Sequence, residues 1–200
     1  VKKNPYTEVF KAKDNGCPVS LVDFETVNIT VIGHAPRNLV ATPIGNLGDI
    51  SSRALETLKS VDLIASEDTR NSGRLLAHFG INTPQTSYHD FNEKQKAPEL
   101  INTLLNGKSI ALITDAGTPL VSDPGYKLVN LALENGVDII PIPGASSILA
   151  ALVVSGYPTD KFCFDGYLPK TSGRLTKYLQ SISEEKRTIV LFETPHRFSK

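Results

Sequence analysis

The sequence predicts an α/β fold in which a mostly parallel sheet flanked by helices is followed by a truncated second α/β domain. Short apolar strand patterns alternate with helical patterns five times between residues 38 and 156, which is typical of parallel sheets. Several helical patterns end at a glycine, as helices often do. A new strand–helix–strand pattern begins after Pro158 and continues to the end of the chain.

Each element is assigned from the spacing of its apolar residues. The clearest helix is expected over residues 92–106, although Pro98 leaves open a start at that residue. In "SDPG", Asp123 and Pro124 are expected to be the N-cap and first residue of a helix. The expected strands are residues 38–42, 61–66, 85–89, 109–114, 137–143, 161–167 and 187–193. The remaining helices are expected over residues 50–60, 71–79, 124–135, 144–156 and 173–181.

Three regions follow from these patterns. Residues 1–37 show weak periodicity and are an appendage of unknown structure, with one candidate strand at residues 27–33. Residues 38–156 are expected to form the first α/β domain. Residues 157–200 are expected to begin a second α/β domain, which the turn-rich segment "GYPTD" joins to the first.

Composition excludes several classes of function. Lys plus Arg number 21, as do Asp plus Glu, so no net charge attracts nucleic acid or a membrane surface. No apolar run approaches the roughly 20 residues that span a bilayer. Cys17 and Cys163 lack metal-ligand neighbours, so we expect no structural metal. A disulfide framework is not expected either, which favours a reducing, cytoplasmic compartment.

Polar and glycine-rich segments follow all five strands of the first domain. Ligands bind beyond the carboxyl ends of parallel strands, so these segments are expected to meet at one edge. After the fourth strand comes Asp115, then Ala116 and Gly117, which permit close approach to the backbone, and Thr118, which can hydrogen-bond a ligand. A tight loop capped by Asp115 is an equally good interpretation. The five segments are "TPIGN", "SEDTR", "YHDFNE", "TDAGTP" and "PGASS".

Two of these segments resemble anion-binding turns. "PGASS" begins a helix whose free amides suit a carboxylate, although capping by Ser146 or Ser147 also explains it. "TPIGNLGD" spaces Gly45 and Gly48 as G-x-x-G, which differs from the G-x-G-x-x-G of dinucleotide sites. A nicotinamide-dependent dehydrogenase is therefore disfavoured.

Charged and polar residues cluster after the second and third strands. Exposed salt bridges and hydrogen-bonded loops are the ordinary explanation for such clusters. Their position at the carboxyl edge of the sheet favours a role in binding or proton transfer as well. The candidates are Glu67, Asp68, Arg70, His89, Asn92 and Glu93.

Taken in order, the motifs resemble the tetrapyrrole methylase family of S-adenosylmethionine enzymes, and within it the branch that methylates ribosomal RNA. The similarity runs from about Leu39 to the end of the chain, including "RTIVLFETPHR", and leaves residues 1–37 unmatched. The other motifs are "TPIGNLGDIS", "DLIASEDTR", "HDFNEKQK", "ITDAGTPLVSDPGYKLV", "PIPGASSILAAL" and "DKFCFDGYLPK".

The resemblance implies a class III methyltransferase fold and methyl transfer to the ribose 2′-oxygen of a decoding-centre cytidine in 16S rRNA. It also implies a homodimer and a cleft between two α/β domains that holds S-adenosylmethionine. The six candidates named above would face the nucleotide. The cofactor would contact Pro43, Gly45, Asp115, Ala116, Gly117, Thr118, Ser146 and Ser147.

The sequence leaves the identity of the proton acceptor open. A neutral ribose hydroxyl is a poor nucleophile, so Asp68 or His89 is expected to take its proton, unless the proton leaves to solvent. Residues 161–200 carry eight Lys or Arg against four acids, and this local excess suits contact with phosphates. A precorrin-type tetrapyrrole methylase and a non-catalytic nucleotide-binding module are the alternatives.

Overall fold

A computed structural model describes residues 8–13, 21–26 and 36–198. The first two segments are strands β1 (Glu8–Lys13) and β2 (Leu21–Thr26), which pair antiparallel. This hairpin was not expected from the sequence. The candidate strand at residues 27–33 lies outside the described residues.

The central sheet has five short strands, all of them parallel. Their order across the sheet is given by chain position as third, second, fourth, first and fifth, so helices carry the chain from strand to strand. This arrangement confirms the predicted mostly parallel α/β sheet. The strands are β3 (Arg37–Val40), β4 (Leu63–Ser66), β5 (Gln85–Ser87), β6 (Ile110–Ile113) and β7 (Ile139–Ile142).

Helices cover both faces of this sheet. Alternate residues of a strand point to opposite faces, so Ile110 and Leu112 of β6 pack in one core cluster and Ala111 and Ile113 in another. The helices are α1 (Ser52–Ser60), α2 (Thr69–His78), α3 (Glu93–Leu105), α4 (Tyr126–Glu134) and α5 (Ser147–Val154), with a 3-10 turn at Leu47–Asp49. The first cluster contains residues of α3 and α4, and the second contains residues of α1 and α2.

The start of α4 differs from the prediction. The helix begins at Tyr126 with Gly125 as its N-cap, so the expected capping by Asp123 and start at Pro124 are wrong. Leu120 and Ser122 have φ values of 73° and 63°, which give the preceding loop a left-handed path. Gly125 has a φ of 139°, and a Cβ there would lie 2.9 Å from the Leu112 side chain. Asp123 therefore lies in the loop before α4 and not at the end of the helix.

Other helix boundaries shift by small amounts. α2 starts at Thr69, two residues earlier than expected, because the Asp68 carboxylate accepts a hydrogen bond from the Arg70 N–H. α3 starts at Glu93 and continues through Pro98, so the helix does not begin at the proline.

Arg37 is the largest fully buried side chain of the described residues. Its guanidinium nitrogens make no hydrogen bond within the described part of the chain. Burial lowers the pKa of Arg37 to about 10, and the nearby Tyr88 phenol partly opposes this. A buried cation without a partner is unfavourable, so the start of β3 is a point of local conflict in the fold.

The remaining described residues form a smaller second region. It contains β8 (Phe162–Tyr167), α6 (Ser172–Ser181), β9 (Thr188–Phe192) and α7 (Pro195–Phe198). β8 and β9 pair in parallel, and no side chain between residues 157 and 197 is fully buried. The Phe192 ring contacts Phe164 and Tyr167 at centroid distances of 4.7 and 5.4 Å, which gives this region a small aromatic cluster.

Candidate ligand cleft at the carboxyl edge of the sheet

Two loops at the carboxyl edge of the central sheet are joined directly. The Thr42 N–H donates to the Gly117 carbonyl at 2.9 Å, and the Gly117 N–H donates to the Thr42 carbonyl at 3.1 Å. The Thr42 hydroxyl also donates to the Thr114 carbonyl at 3.1 Å. Gly117 has a φ of 85°, a conformation that glycine adopts without strain. The loops after β3 and β6 therefore meet, as the parallel topology predicted.

A cleft of about 390 Å³ lies between these loops and the second region. Tyr167, Phe192 and Glu193 of the second region line it on one side. On the other side it is lined by five of the residues predicted to contact a cofactor. These five are Ala116, Gly117, Thr118, Ser146 and Ser147.

The other three predicted cofactor residues do not line this cleft. Pro43 is buried at the base of the loop after β3, and Gly45 is exposed two residues further on. Asp115 is exposed, and its carboxylate accepts a hydrogen bond from the Asn71 amide at 2.8 Å. These three residues lie in the same loops as the lining residues but next to the cleft.

The loop after β7 approaches the first strand closely. A Cβ at Gly144 would lie 2.9 Å from the Ala41 Cβ, so only glycine fits there without a shift. The Ser146 hydroxyl accepts a hydrogen bond from the Leu149 N–H at 3.4 Å and caps α5. Ser146 therefore serves the helix end as well as lining the cleft, and Ser147 is exposed beside it.

Asp68 and Arg70 form an exposed ion pair. Two guanidinium nitrogens of Arg70 donate to the Asp68 carboxylate, at 3.1 and 2.7 Å. These hydrogen bonds hold the pKa of Asp68 far below its ordinary value. This geometry matches the salt-bridge interpretation, and a carboxylate of such low basicity is a poor proton acceptor.

The residues after β5 hold their own loop together. The His89 N–H donates to the Asn92 side chain at 2.9 Å, and the Asn92 amide donates to the Ser87 carbonyl at 3.2 Å. Lys127 of α4 donates to the Glu93 carboxylate at 2.6 Å. None of these polar residues lines the cleft. The His89 Nδ1 atom is buried and has no hydrogen-bond partner among the described residues.

Two half-buried carboxyls lie near the cleft and have raised pKa values. Burial raises the pKa of Glu67, and the charges of Asp123 and Asp115 raise it further. Burial also raises the pKa of Asp123, with the Thr114 hydroxyl opposing it and the charges of Asp115 and Asp90 adding to it. Asp123 lines the cleft directly. The sequence pattern "SDPG" indicates only a capping role for Asp123.

Within residues 36–197, whose side chains the structure describes, no cluster of His, Cys, Asp or Glu forms a metal site. Among the described residues, no helix has the length and apolar character needed to cross a bilayer.

Comparison with known proteins identifies the family of the chain. The family model for tetrapyrrole (corrin/porphyrin) methylases matches residues 38–200. The chain belongs to this family. Tetrapyrrole methylases use S-adenosylmethionine as the methyl donor. The matched range begins at Asn38, as the motifs predicted, and leaves out the preceding residues.

Curated relatives share about half of their residues with this chain. A protein of Synechocystis sp. is 55% identical over 80% of this chain, and one of Vibrio cholerae is 52% identical over 86% of it. Both are named ribosomal RNA small subunit methyltransferase I. The aligned parts cover 57% and 60% of those relatives, so the chain spans less than two thirds of their length.

Solved structures confirm the methylase fold. A diphthine synthase matches 82% of this chain and 66% of its own, with a TM-score of 0.62 and 20% identity. The uroporphyrin-III-C-methyltransferase of Thermus thermophilus matches 66% of this chain and 60% of its own, with a TM-score of 0.51 and 18% identity. At these identities the likeness supports the architecture alone.

Proposed function

We propose that this tetrapyrrole methylase is part of an S-adenosylmethionine-dependent methyltransferase that modifies the ribose 2′-oxygen of a decoding-centre cytidine in 16S rRNA. The observation that carries this proposal is 55% identity, over 80% of the chain, to a relative named as a ribosomal RNA methyltransferase. A cytoplasmic location follows from such a substrate.

The cleft suits a cofactor that is cationic at sulfur and carries a carboxylate. Gly117 lines the cleft without a side chain and with a φ of 85°, and the N-terminus of α5 lies beside Ser147, which also lines the cleft. The carboxyls of Asp123 and Asp115 favour a positive charge nearby. The proposed cofactor residues are Pro43, Gly45, Asp115, Ala116, Gly117, Thr118, Ser146 and Ser147.

Bound S-adenosylmethionine supplies a methyl group on an excellent leaving group. The chain's own residues must hold the nucleotide with its hydroxyl behind that methyl group and exclude water, so positioning dominates. The bridge between Thr42 and Gly117 fixes two cofactor loops for this purpose. The proposed nucleotide-facing residues are Glu67, Asp68, Arg70, His89, Asn92 and Glu93.

Self-association of two copies belongs to the same proposal. Helix α5 leaves Leu149, Val153 and Val154 exposed at 51%, 72% and 82% of their surface. Apolar side chains of one helix exposed together are typical of an interface. A Val153→Asp variant is expected to shift the protein from dimer to monomer in light scattering, and a monomeric unaltered protein would contradict the homodimer.

Calorimetry with S-adenosylhomocysteine tests the cofactor assignment. We expect S-adenosylhomocysteine and S-adenosylmethionine to bind. Binding of S-adenosylmethionine, which alone is cationic at sulfur, should be at least about tenfold weaker in Asp115→Ala (1.4 kcal/mol) and unchanged in the matched control Asp160→Ala. Asp160 is an exposed aspartate outside the cleft. Binding of a nicotinamide dinucleotide in place of S-adenosylhomocysteine would overturn the methylase assignment.

Primer-extension mapping tests the substrate. Unmethylated small ribosomal subunits, incubated with the protein and S-adenosylmethionine, are expected to gain one 2′-O-methyl stop in the decoding centre. Cofactor binding together with methylation of a precorrin, and none of RNA, would favour the tetrapyrrole alternative instead.

A further inference from the structure

We propose that Asp123 is the catalytic residue that accepts the proton of the attacking hydroxyl. This inference rests on the proposed methyl transfer and names a different residue from the acceptors, Asp68 and His89, that the sequence suggested. It is carried by three observations: the position of the residue, its lack of a cationic partner, and the acidic groups around it.

The position of Asp123 is the first observation. Its side chain lines the same cleft as Gly117, Thr118 and Ser146, which the proposed function assigns to the cofactor. The candidates Asp68 and His89 do not line this cleft. A proton acceptor must lie within hydrogen-bond reach of the reacting hydroxyl, so a carboxyl inside the cleft is better placed than Asp68 or His89. The other carboxyl that lines the cleft, Glu193, is paired with Arg197 at 3.2 Å.

The second observation is the absence of an ion pair. Asp68 is paired with Arg70, and Glu93 with Lys127. No Lys, Arg or His is paired with Asp123 within residues 36–197, the range over which side chains are described. An unpaired carboxylate keeps its basicity, whereas a paired one loses it.

The groups that face Asp123 strengthen its basicity. Its burial and the charges of Asp115 and Asp90 raise its pKa, and the Thr114 hydroxyl opposes them. The Asp123 charge in turn raises the pKa of Glu67, so acidic groups surround Asp123 on the side of the cleft. A carboxylate whose pKa is moved toward neutrality is a better general base at physiological pH.

Methyl transfer forms one bond and breaks another. A lone pair of the ribose 2′-oxygen forms a bond to the methyl carbon, and the carbon–sulfur bond breaks with its electron pair going to sulfur. The hydroxyl proton passes to a carboxylate oxygen of Asp123. The products are the methyl ether and S-adenosylhomocysteine, and Asp123 then loses the proton to solvent.

An Asp123→Asn variant tests this role, because asparagine keeps the shape of the side chain but cannot accept the proton. We expect kcat for methyl transfer to small ribosomal subunits to fall at least about 100-fold. The Kd for S-adenosylhomocysteine, measured by calorimetry, should change less than about threefold. The control Asp160→Asn should leave kcat and Kd unchanged.

Two further readouts separate catalysis from a structural role. As the pH is lowered and Asp123 becomes protonated, log kcat of the unaltered protein should fall by one for each pH unit. The Asp123→Asn variant should lose this dependence. An NMR titration of the Asp123 carboxyl, which needs no activity, should show a pKa above the ordinary aspartate value of 3.8.

The possible failures are distinguishable. If the unaltered protein transfers no methyl group to RNA, the proposed function is wrong and this inference falls with it. If it transfers methyl groups and Asp123→Asn does so equally fast, or if the pKa of the Asp123 carboxyl is not raised above the ordinary aspartate value, only this inference is overturned.

Discussion

The two regions of the molecule differ in how they are held together. Within residues 36–197, every fully buried side chain lies between Arg37 and Leu152, in or next to the five-stranded sheet. The region from residue 157 onward has a two-stranded sheet and a half-buried aromatic cluster. Because buried apolar area supplies most folding free energy, the first region is expected to stabilise the chain and the second to depend on it.

A matched pair of leucine substitutions gives the largest expected contrast. Leu104→Ala removes a fully buried side chain and should lower the free energy of unfolding by about 4 kcal/mol. Leu191→Ala, in half-buried β9, should cost only about 1 kcal/mol. Urea denaturation measures both, and equal losses would contradict the comparison.

Replacing the buried arginine should make the first region more stable still. Burial lowers the pKa of Arg37 from 12.5 to about 10. At neutral pH the guanidinium is charged in the folded and the unfolded protein, so this fall corresponds to a loss of about 3 kcal/mol in the free energy of unfolding. Arg37→Leu should raise the free energy of unfolding by about that amount, and the exposed control Arg174→Leu should not. A loss of stability in Arg37→Leu would show that the guanidinium has an anionic partner.

The aromatic cluster tests the second region. Phe192→Ala removes both ring contacts and should lower the opening free energy of β8 and β9, measured by hydrogen exchange, by about 2 kcal/mol. It should also weaken S-adenosylhomocysteine binding, because Phe192 lines the cleft. Phe162, in β8 but without a ring contact among the described residues, is the control. The same loss in Phe162→Ala would refute a role for the ring contacts.

The smallest expected effect concerns Glu67. Its folded pKa is raised above 4.5, so ionising it in the folded state costs free energy as the pH rises through that value. Glu67→Gln should therefore raise the Tm slightly at pH 7 and leave it unchanged near pH 4. A Tm increase of the same size at both pH values would contradict this origin.

Apolar spacing was enough to predict the sheet and its helices. Residues Ile110 to Ile113 of β6 are all apolar because they pack alternately on the two faces of the sheet, and the apolar residues of α3 are spaced along the face that packs on the sheet. Both patterns can be seen in the local sequence. The antiparallel hairpin of β1 and β2 was missed because its residues show no clear period. The shifted start of α4 was missed because the loop before it has positive φ at Leu120 and Ser122 and places Gly125 against Leu112, and no local propensity records such a path.

The cleft was predicted in part. Gly117, Thr118 and Ser146 were found because they follow strands, and the topology brings strand ends together. Glu193 and Tyr167 were missed because they come from the second region, whose position beside the loop of Gly117 and Thr118 is not recorded in the local sequence. "SDPG" has the pattern of an ordinary helix start, so Asp123 was assigned to the cap.

The pair of backbone hydrogen bonds between Thr42 and Gly117 has a consequence for the evolution of the cleft. Main-chain hydrogen bonds depend on residue identity only where the backbone conformation does, as at Gly117 with its φ of 85°. The other positions of the two loops can therefore exchange residues around the ligand and keep their spacing. The ligand specificity of the cleft can therefore change during evolution while the spacing of the two loops stays the same. Substitutions on the two sides of this junction are then expected to be non-additive, because moving one loop moves the other.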